Sequence, residues 1–159
     1  MTNEMPTYLT AAALDKLVEE LEHLKTVGRR EMEDRIGEAR SHGDLRENAE
    51  YDAAKNAQGL MEARIRKLEH LIHTAEVGEA SSTTVVEVGS LVSVVDDDGD
   101  EMDYFVAPQE NKVPGVTLAS PSSPVGAALL GAVVGDEVSY QAPAGVFHLR
   151  VTAVRPFGG

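Results

Sequence analysis

The apolar residues of one long stretch of this chain keep a single period without a slip. Tyr51, Ala54, Gln58, Met61, Ile65, Leu68, Ile72 and Ala75 follow one another in alternating steps of 3 and 4. That spacing puts them on one stripe of an α-helix and fits a coiled-coil seam. An earlier run, Leu14, Leu17, Leu21, Leu24, Gly28, Met32, Ile36 and Ala39, starts in the same way after Thr10, a good helix N-cap. Its steps shift near Gly28, which reads as a stutter that locally unwinds the pairing. No proline interrupts residues 7–107. Between the runs stands Ser41-His42-Gly43, with the glycine suited to a left-handed helix terminus. Two long helices joined by a few residues must lie antiparallel. With arms of roughly 30 residues, the hairpin is about 45 Å long at 1.5 Å rise per residue.

Around Val77-Gly78 the period changes. Ser81-Ser82-Thr83-Thr84 reads as a linker into Val85-Val86. Short β-rich runs follow at residues 90–95, 102–106, 115–118, 137–140 and 146–154. They are punctuated by turn residues at Asp97-Asp98-Gly99-Asp100, Pro114-Gly115 and Pro143-Ala144-Gly145. Residues 124–131, closed by glycine, fit one short helix. The expected fold class is therefore α+β: a coiled-coil hairpin over residues 1–78, a linker over 79–84, and an antiparallel sheet domain with one short helix over 85–159.

Composition narrows the function. The chain has no cysteine, which removes disulfides, thiolate chemistry and cysteine-ligated zinc together. It shows no secretory signal and no apolar stretch near the ~18–20 residues of a membrane span, so a soluble, cytoplasmic protein without membrane contact is expected. Net charge is −13. Residues 1–78 hold 16 acids and 11 bases, a net of −5, and residues 79–159 hold 11 acids and 3 bases, a net of −8. An acidic chain gains little from counterion release, so tight independent DNA binding is not expected. A protein partner with basic channels would suit it better.

The chemistry concentrates at the bend, in Gly43-Asp44-Leu45-Arg46-Glu47-Asn48-Ala49-Glu50-Tyr51-Asp52. Asp44 followed by Glu47 is the Asp form of a capping box, a purely structural role worth roughly 1 kcal/mol. A cap leaves the rest unexplained: Leu45, Asn48 and Glu50 at the far end of a rod, with Arg40 and Lys55 flanking the bend as a basic spot. Two carboxylates one turn apart can share a divalent metal, yet alone they hold Mg²⁺ poorly, since it wants octahedral oxygen ligands. Such a pair suits a site whose other ligands come from outside.

Tyr8-Leu9-Thr10, Leu17, Glu20-Leu21, Leu24 and Ala39-Arg40-Ser41-His42-Gly43-Asp44-Leu45-Arg46-Glu47-Asn48-Ala49-Glu50-Tyr51 resemble the bacterial Gre transcript-cleavage factors, the GreA branch more than GreB. Ser123-Pro124-Val125-Gly126-Ala127-Ala128-Leu129-Leu130-Gly131 and Val134-Gly135-Asp136-Glu137-Val138 resemble the C-terminal signature of that family, so the likeness spans nearly the whole chain. The resemblance implies an FKBP-like sheet domain that docks on RNA polymerase through Ser122, Ser123 and Pro124. It implies a coiled coil reaching down the secondary channel to the catalytic centre. There Asp44 and Glu47 would help hold the second Mg²⁺ and orient a water, while the polymerase hydrolyses backtracked RNA at its nascent 3′ end. Two-metal phosphodiester chemistry would thus be split between two proteins. Leu45, Asn48, Tyr51, Arg40 and Lys55 would contact tip or RNA, though packing explains Tyr51 as well. The chain would be a monomeric auxiliary factor rather than an enzyme. It would bind no Mg²⁺ tightly alone and meet DNA only through the polymerase complex. It departs from the family pattern at Ser122, where Asp or Asn is common, in its C-terminal acidity and in its short 108–115 segment.

Two other functions remain open: a Gre-like inhibitor that occludes the channel, against which the intact Asp44 and Glu47 speak, and a prolyl isomerase or chaperone on the sheet domain. The latter has only Tyr104, Phe105, Tyr140, Phe147 and Phe157 to offer as aromatics. Asp96-Asp97-Asp98-Gly99-Asp100 fails the calcium-loop register, because Val94 and Phe105 would fall at ligand positions, and reads as a hairpin turn. His70 and His73 lie one turn apart without a third ligand. No strand–Gly-x-Ser-x-Gly–helix elbow or phosphate loop is present.

Overall fold

In a computed structural model of the chain, the structure describes residues 7–41 and 45–158, with the backbone alone for 45–47. The chain forms two compact units, one of residues 14–74 and one of residues 7–13 with 75–158.

The first unit is the helical hairpin. One arm consists of α1 (Ala11–His23), a π-helical turn (Leu24–Gly28) and α2 (Arg29–Arg40); the other is α3 (Leu45–His73). Partners run in opposite directions along the two arms, Arg40 over Tyr51, Arg29 to Glu62 and Lys25 to Glu69, which makes them antiparallel. Leu17, Ile36 and Ala39 from the first arm and Ala54, Ile65, Leu68 and Leu71 from the second are buried.

The stutter near Gly28 takes the form of the π turn. Three successive steps of 4 carry the seam away from the partner on an ideal helix, and i→i+5 bonding absorbs the surplus residue. Thr26 Oγ1 donates to the Glu22 carbonyl at 2.7 Å within this turn. Gly28 lets the arms approach there, for a Cβ would meet Met61 Sδ at 3.2 Å.

Two details differ from the seam read in sequence. Leu71 is buried where Ile72 is only half-buried, the drift of a 3.6-residue helix against a 3.5 repeat. Ala75, the last expected seam residue, has left the helix. Thr74 donates its N–H and its hydroxyl to the His70 carbonyl, each at 2.9 Å, and the chain turns into a strand.

That strand, β2 (Ala75–Val77), pairs in parallel with β1 (Thr7–Leu9). The second unit continues with β3 (Ser90–Asp96), β4 (Glu101–Val106), β5 (Leu118–Ala119), α4 (Pro124–Leu129), β6 (Glu137–Ala142) and β7 (Gly145–Pro156). The five strands order β5-β4-β3-β7-β6, all antiparallel except β4 with β5. The sheet is thus mostly, not wholly, antiparallel. A bulge at Thr152 lets Ser93 face Ala153 and Val94 face Val151, which adds twist. Val92, Val94, Val106, Leu129, Leu149 and Val151 form the core, with α4 supplying Leu129.

Residues 79–84, a linker by sequence, are tied down instead. Glu87 Oε1 accepts from Ser81 N at 2.7 Å and Ser82 N at 3.0 Å, and Ala80 is buried. These two backbone bonds hold the Glu87 carboxyl below its ordinary value. The two compact units divide at Thr74/Ala75, and residues 7–13 belong with the sheet unit, where β1 has β2 as its partner. Among the described residues no helix is long and apolar enough to cross a membrane.

Candidate functional site

α3 begins at Leu45, the residue after Asp44. Asp44 itself, and the side chains of Leu45 and Glu47, lie outside the described residues; the backbone of Glu47 is in the first turn of α3. Asn48 and Glu50 are exposed on the next turn. Tyr51 is half-buried, with the Arg40 guanidinium 5.7 Å from its ring centroid. A cation over an aromatic face at an exposed site contributes about 0.5–1 kcal/mol and ties the end of α2 to α3. Lys55 Nζ donates to Gln58 Oε1 at 3.0 Å on its own helix. The two flanking cations therefore have separate partners.

Farther along the hairpin, two bidentate pairs brace the arms. Arg64 donates to both Glu20 oxygens at 2.8 and 2.9 Å, and Arg29 to both Glu62 oxygens at 3.0 Å. Hydrogen bonding by arginine is the leading cause that lowers the Glu20 and Glu62 carboxyls.

The turn before α4 is built around Ser120 and Ser123. Ser123 is the N-cap of α4: its Oγ accepts from Gly126 N at 3.1 Å and donates to the Ser120 carbonyl at 2.6 Å. Pro124 occupies the first helical turn, where a missing N–H costs nothing. A Cβ on Gly126 would collide with the Ser120 carbonyl, so only glycine fits. The Ser120 and Ser122 hydroxyls share a hydrogen bond of 2.9 Å. Ser122 and Pro124 are left exposed on this rigid turn, while Ser123 is spent on the cap. Sequence reasoning does not single out Ser120; the one signal was the density of hydroxyls in Ser120-Pro121-Ser122-Ser123.

Elsewhere, Asp96, Asp98 and Asp100 bring carboxylate oxygens within 4.8 Å of one another. The β3–β4 turn accounts for this, as Asp96 Oδ1 accepts from Asp98 N and Asp100 N at 2.9 Å each and Gly99 takes φ +83°. Of the aromatics, Phe105 and Phe157 are stacked at 4.1 Å, with Phe105 fully buried. Tyr140 stacks on Phe147 at 5.5 Å, and burial, followed by Tyr140 and Asp96, raises the Tyr104 phenol.

Family models for the N-terminal part of transcription elongation factors and for the C-terminal part of GreA/GreB match residues 7–77 and 81–156. The chain belongs to the GreA/GreB family of transcription elongation factors. It is 43% identical to transcription elongation factor GreA of Chloroflexus aggregans over 96% of this chain and 99% of that one. It is 40% identical to GreA of Streptomyces coelicolor over 99% and 98%. Among solved structures it matches the GreA factor homolog 1 protein of Thermus thermophilus at 30% identity and a TM-score of 0.44, covering 94% of this chain and 99% of that one.

Proposed function

We propose that this chain is an auxiliary transcript-cleavage factor. It docks on RNA polymerase through the Ser122–Pro124 turn and lays the tip of its hairpin at the polymerase's catalytic centre. The observation that carries the reading is the start of α3 directly after Asp44, at the end of a two-helix arm about 45 Å long. A thin hairpin has no walls with which to enclose a substrate, so its tip carboxylates act in a site that another protein completes.

Asp44 and Glu47 are two hard oxygen donors of the kind Mg²⁺ accepts, and they are too few to hold it without the polymerase's own ligands. When held there, the ion would neutralise charge on the scissile phosphate and lower the pKa of a water. The chain's own part is to bring the two carboxylates in, keep them close together by one turn of helix, and aim one of them at the water. Leu45, Asn48, Tyr51, Arg40 and Lys55 flank that pair in sequence, and RNA is the polyanion that the cations would meet.

The test is cleavage of nascent RNA in a stalled polymerase complex. Asp44→Asn keeps N-cap capacity and loses the charge; it should lower stimulation about 100-fold or more while leaving helicity intact, and Glu47→Gln should do the same. The isolated protein with Mg²⁺ should leave free RNA uncut. Cleavage at the wild-type rate by Asp44→Asn would remove the catalytic assignment.

A further inference from the structure

The π-helical turn Leu24–Gly28 has no cause in its own residues. None of them is buried, and Lys25, Thr26 and Val27 are exposed. Such bonding is rare and occurs mostly as single turns inside α-helices. Its reason lies further along the arm. On an ideal helix, the steps of 4 from Leu24 through Gly28 and Met32 to Ile36 advance the stripe by about 120°. A π turn takes up one residue, about 100° of that advance. Met32, half-buried, and Ile36 and Ala39, buried, are thereby kept on the seam. Without the turn, the seam would pass to the residues just before them, Glu31, Arg35 and Glu38. All three are charged and exposed. The second arm has no such turn, and its steps alternate 3 and 4 from Tyr51 to Ile72.

We propose that the π turn is a phase reservoir: it holds one residue that the seam does not use, and so sets the rotation of α2 against α3. At the far end of α2, Arg40 lies 5.7 Å from the Tyr51 ring centroid, and Arg35, Glu38 and Ala39 line one cleft with Glu50 and Ala53. A rotation of α2 by one residue, about 100°, would turn Arg40 from that ring and take Ile36 and Ala39 off the seam. Removing Thr26 converts the turn to plain α-helix and leaves both flanks in phase. Removing Glu33, farther along, is made good by collapse of the same turn, which shifts residues 29–32 alone. Once Thr26 is gone no spare residue is left, and removing Glu33 as well brings Gly37 and Arg40 onto the seam in place of Ile36 and Ala39. The link from phase to cleavage rests on the reading of the tip as the reacting end.

Deletion of Thr26, of Glu33 and of both separates a reservoir from a local irregularity. The chain lacks cysteine, so Glu38→Cys and Ala53→Cys carry a pair of spin labels across the cleft that both residues line, within the hairpin alone. The coupling between the labels should survive either single deletion and be lost in the double. In the stalled-complex assay at saturating factor, the Thr26 deletion should cleave within about twofold of wild type, and the double deletion about 10-fold or more slowly. The Thr26 deletion is expected to fold, so it tests the proposal even where the double deletion melts the hairpin. If Asp44→Asn cleaves normally, the reading of the tip fails and the label coupling alone judges the turn. Loss of coupling on either single deletion, or its persistence in the double, would overturn the proposal.

Discussion

The hairpin and the sheet unit solve the problem of stability in opposite ways. The sheet unit encloses Val92, Val94, Leu129 and Val151 on all sides and closes its turns with specific bonds, such as Ser123 to Ser120 and Glu87 to Ser81 and Ser82. The hairpin buries one stripe and braces it with half-exposed ion pairs. Its outer faces are left to solvent. One unit gains its stability from enclosure, the other from a repeated stripe and the ion pairs beside it.

The contrast is most easily broken by truncating one fully buried leucine in each unit. Leu129→Ala leaves a hole that a curled sheet and helix cannot close, and about 4 kcal/mol should be lost. Leu68→Ala faces a single partner helix that can settle into the gap, and about 2 kcal/mol is expected. Denaturant melts followed by circular dichroism give both values. Equal losses would mean that the seam is as enclosed as the sheet core.

Gly126→Ala probes the turn proposed to dock on polymerase. The clash with the Ser120 carbonyl forces the turn to open, with a loss of about 1–3 kcal/mol in the sheet unit. Binding to polymerase should weaken while the seam of the hairpin is untouched; pull-down with the purified enzyme, paired with helicity at 222 nm, separates the two effects.

Acid should weaken the braces of the hairpin. Glu20 and Glu62 have folded-state values lowered from 4.5 by their arginines. Their contribution is complete above that ordinary value and disappears as pH falls through the lowered values, when protonation breaks the pairs. Both pairs face solvent, so the effect is small and salt weakens it. Melting of the hairpin between pH 7 and 3 should show it, and Glu62→Gln should flatten the slope.

The two units also differed in what their sequence disclosed. The seam was legible because Ile36, Ala54, Ile65 and Leu68 each repeat a local period that a single helix must obey. The strands at Ser90–Asp96, Glu101–Val106 and Glu137–Ala142 were legible to within about two residues, because turn residues bracket them. The pairing of β1 with β2 was not, since three-residue strands far apart in sequence carry no local signal. Nor were the bonds of the Asn111 side chain to Thr10 N and the Tyr8 carbonyl, backbone atoms about a hundred residues away. The stutter at Gly28 could be seen, but not that a π turn would resolve it. The tip offered the reverse case: Asp44 and Glu47 stand out in sequence, while Asp44 and the Glu47 side chain lie outside the described residues.

The measurement that bears most directly on this division of labour is the rate of RNA cleavage in a stalled polymerase complex at saturating factor, wild type against Asp44→Asn. Stimulation falling about 100-fold or more, with binding and melting temperature unchanged, is the predicted result; cleavage at the wild-type rate would contradict it.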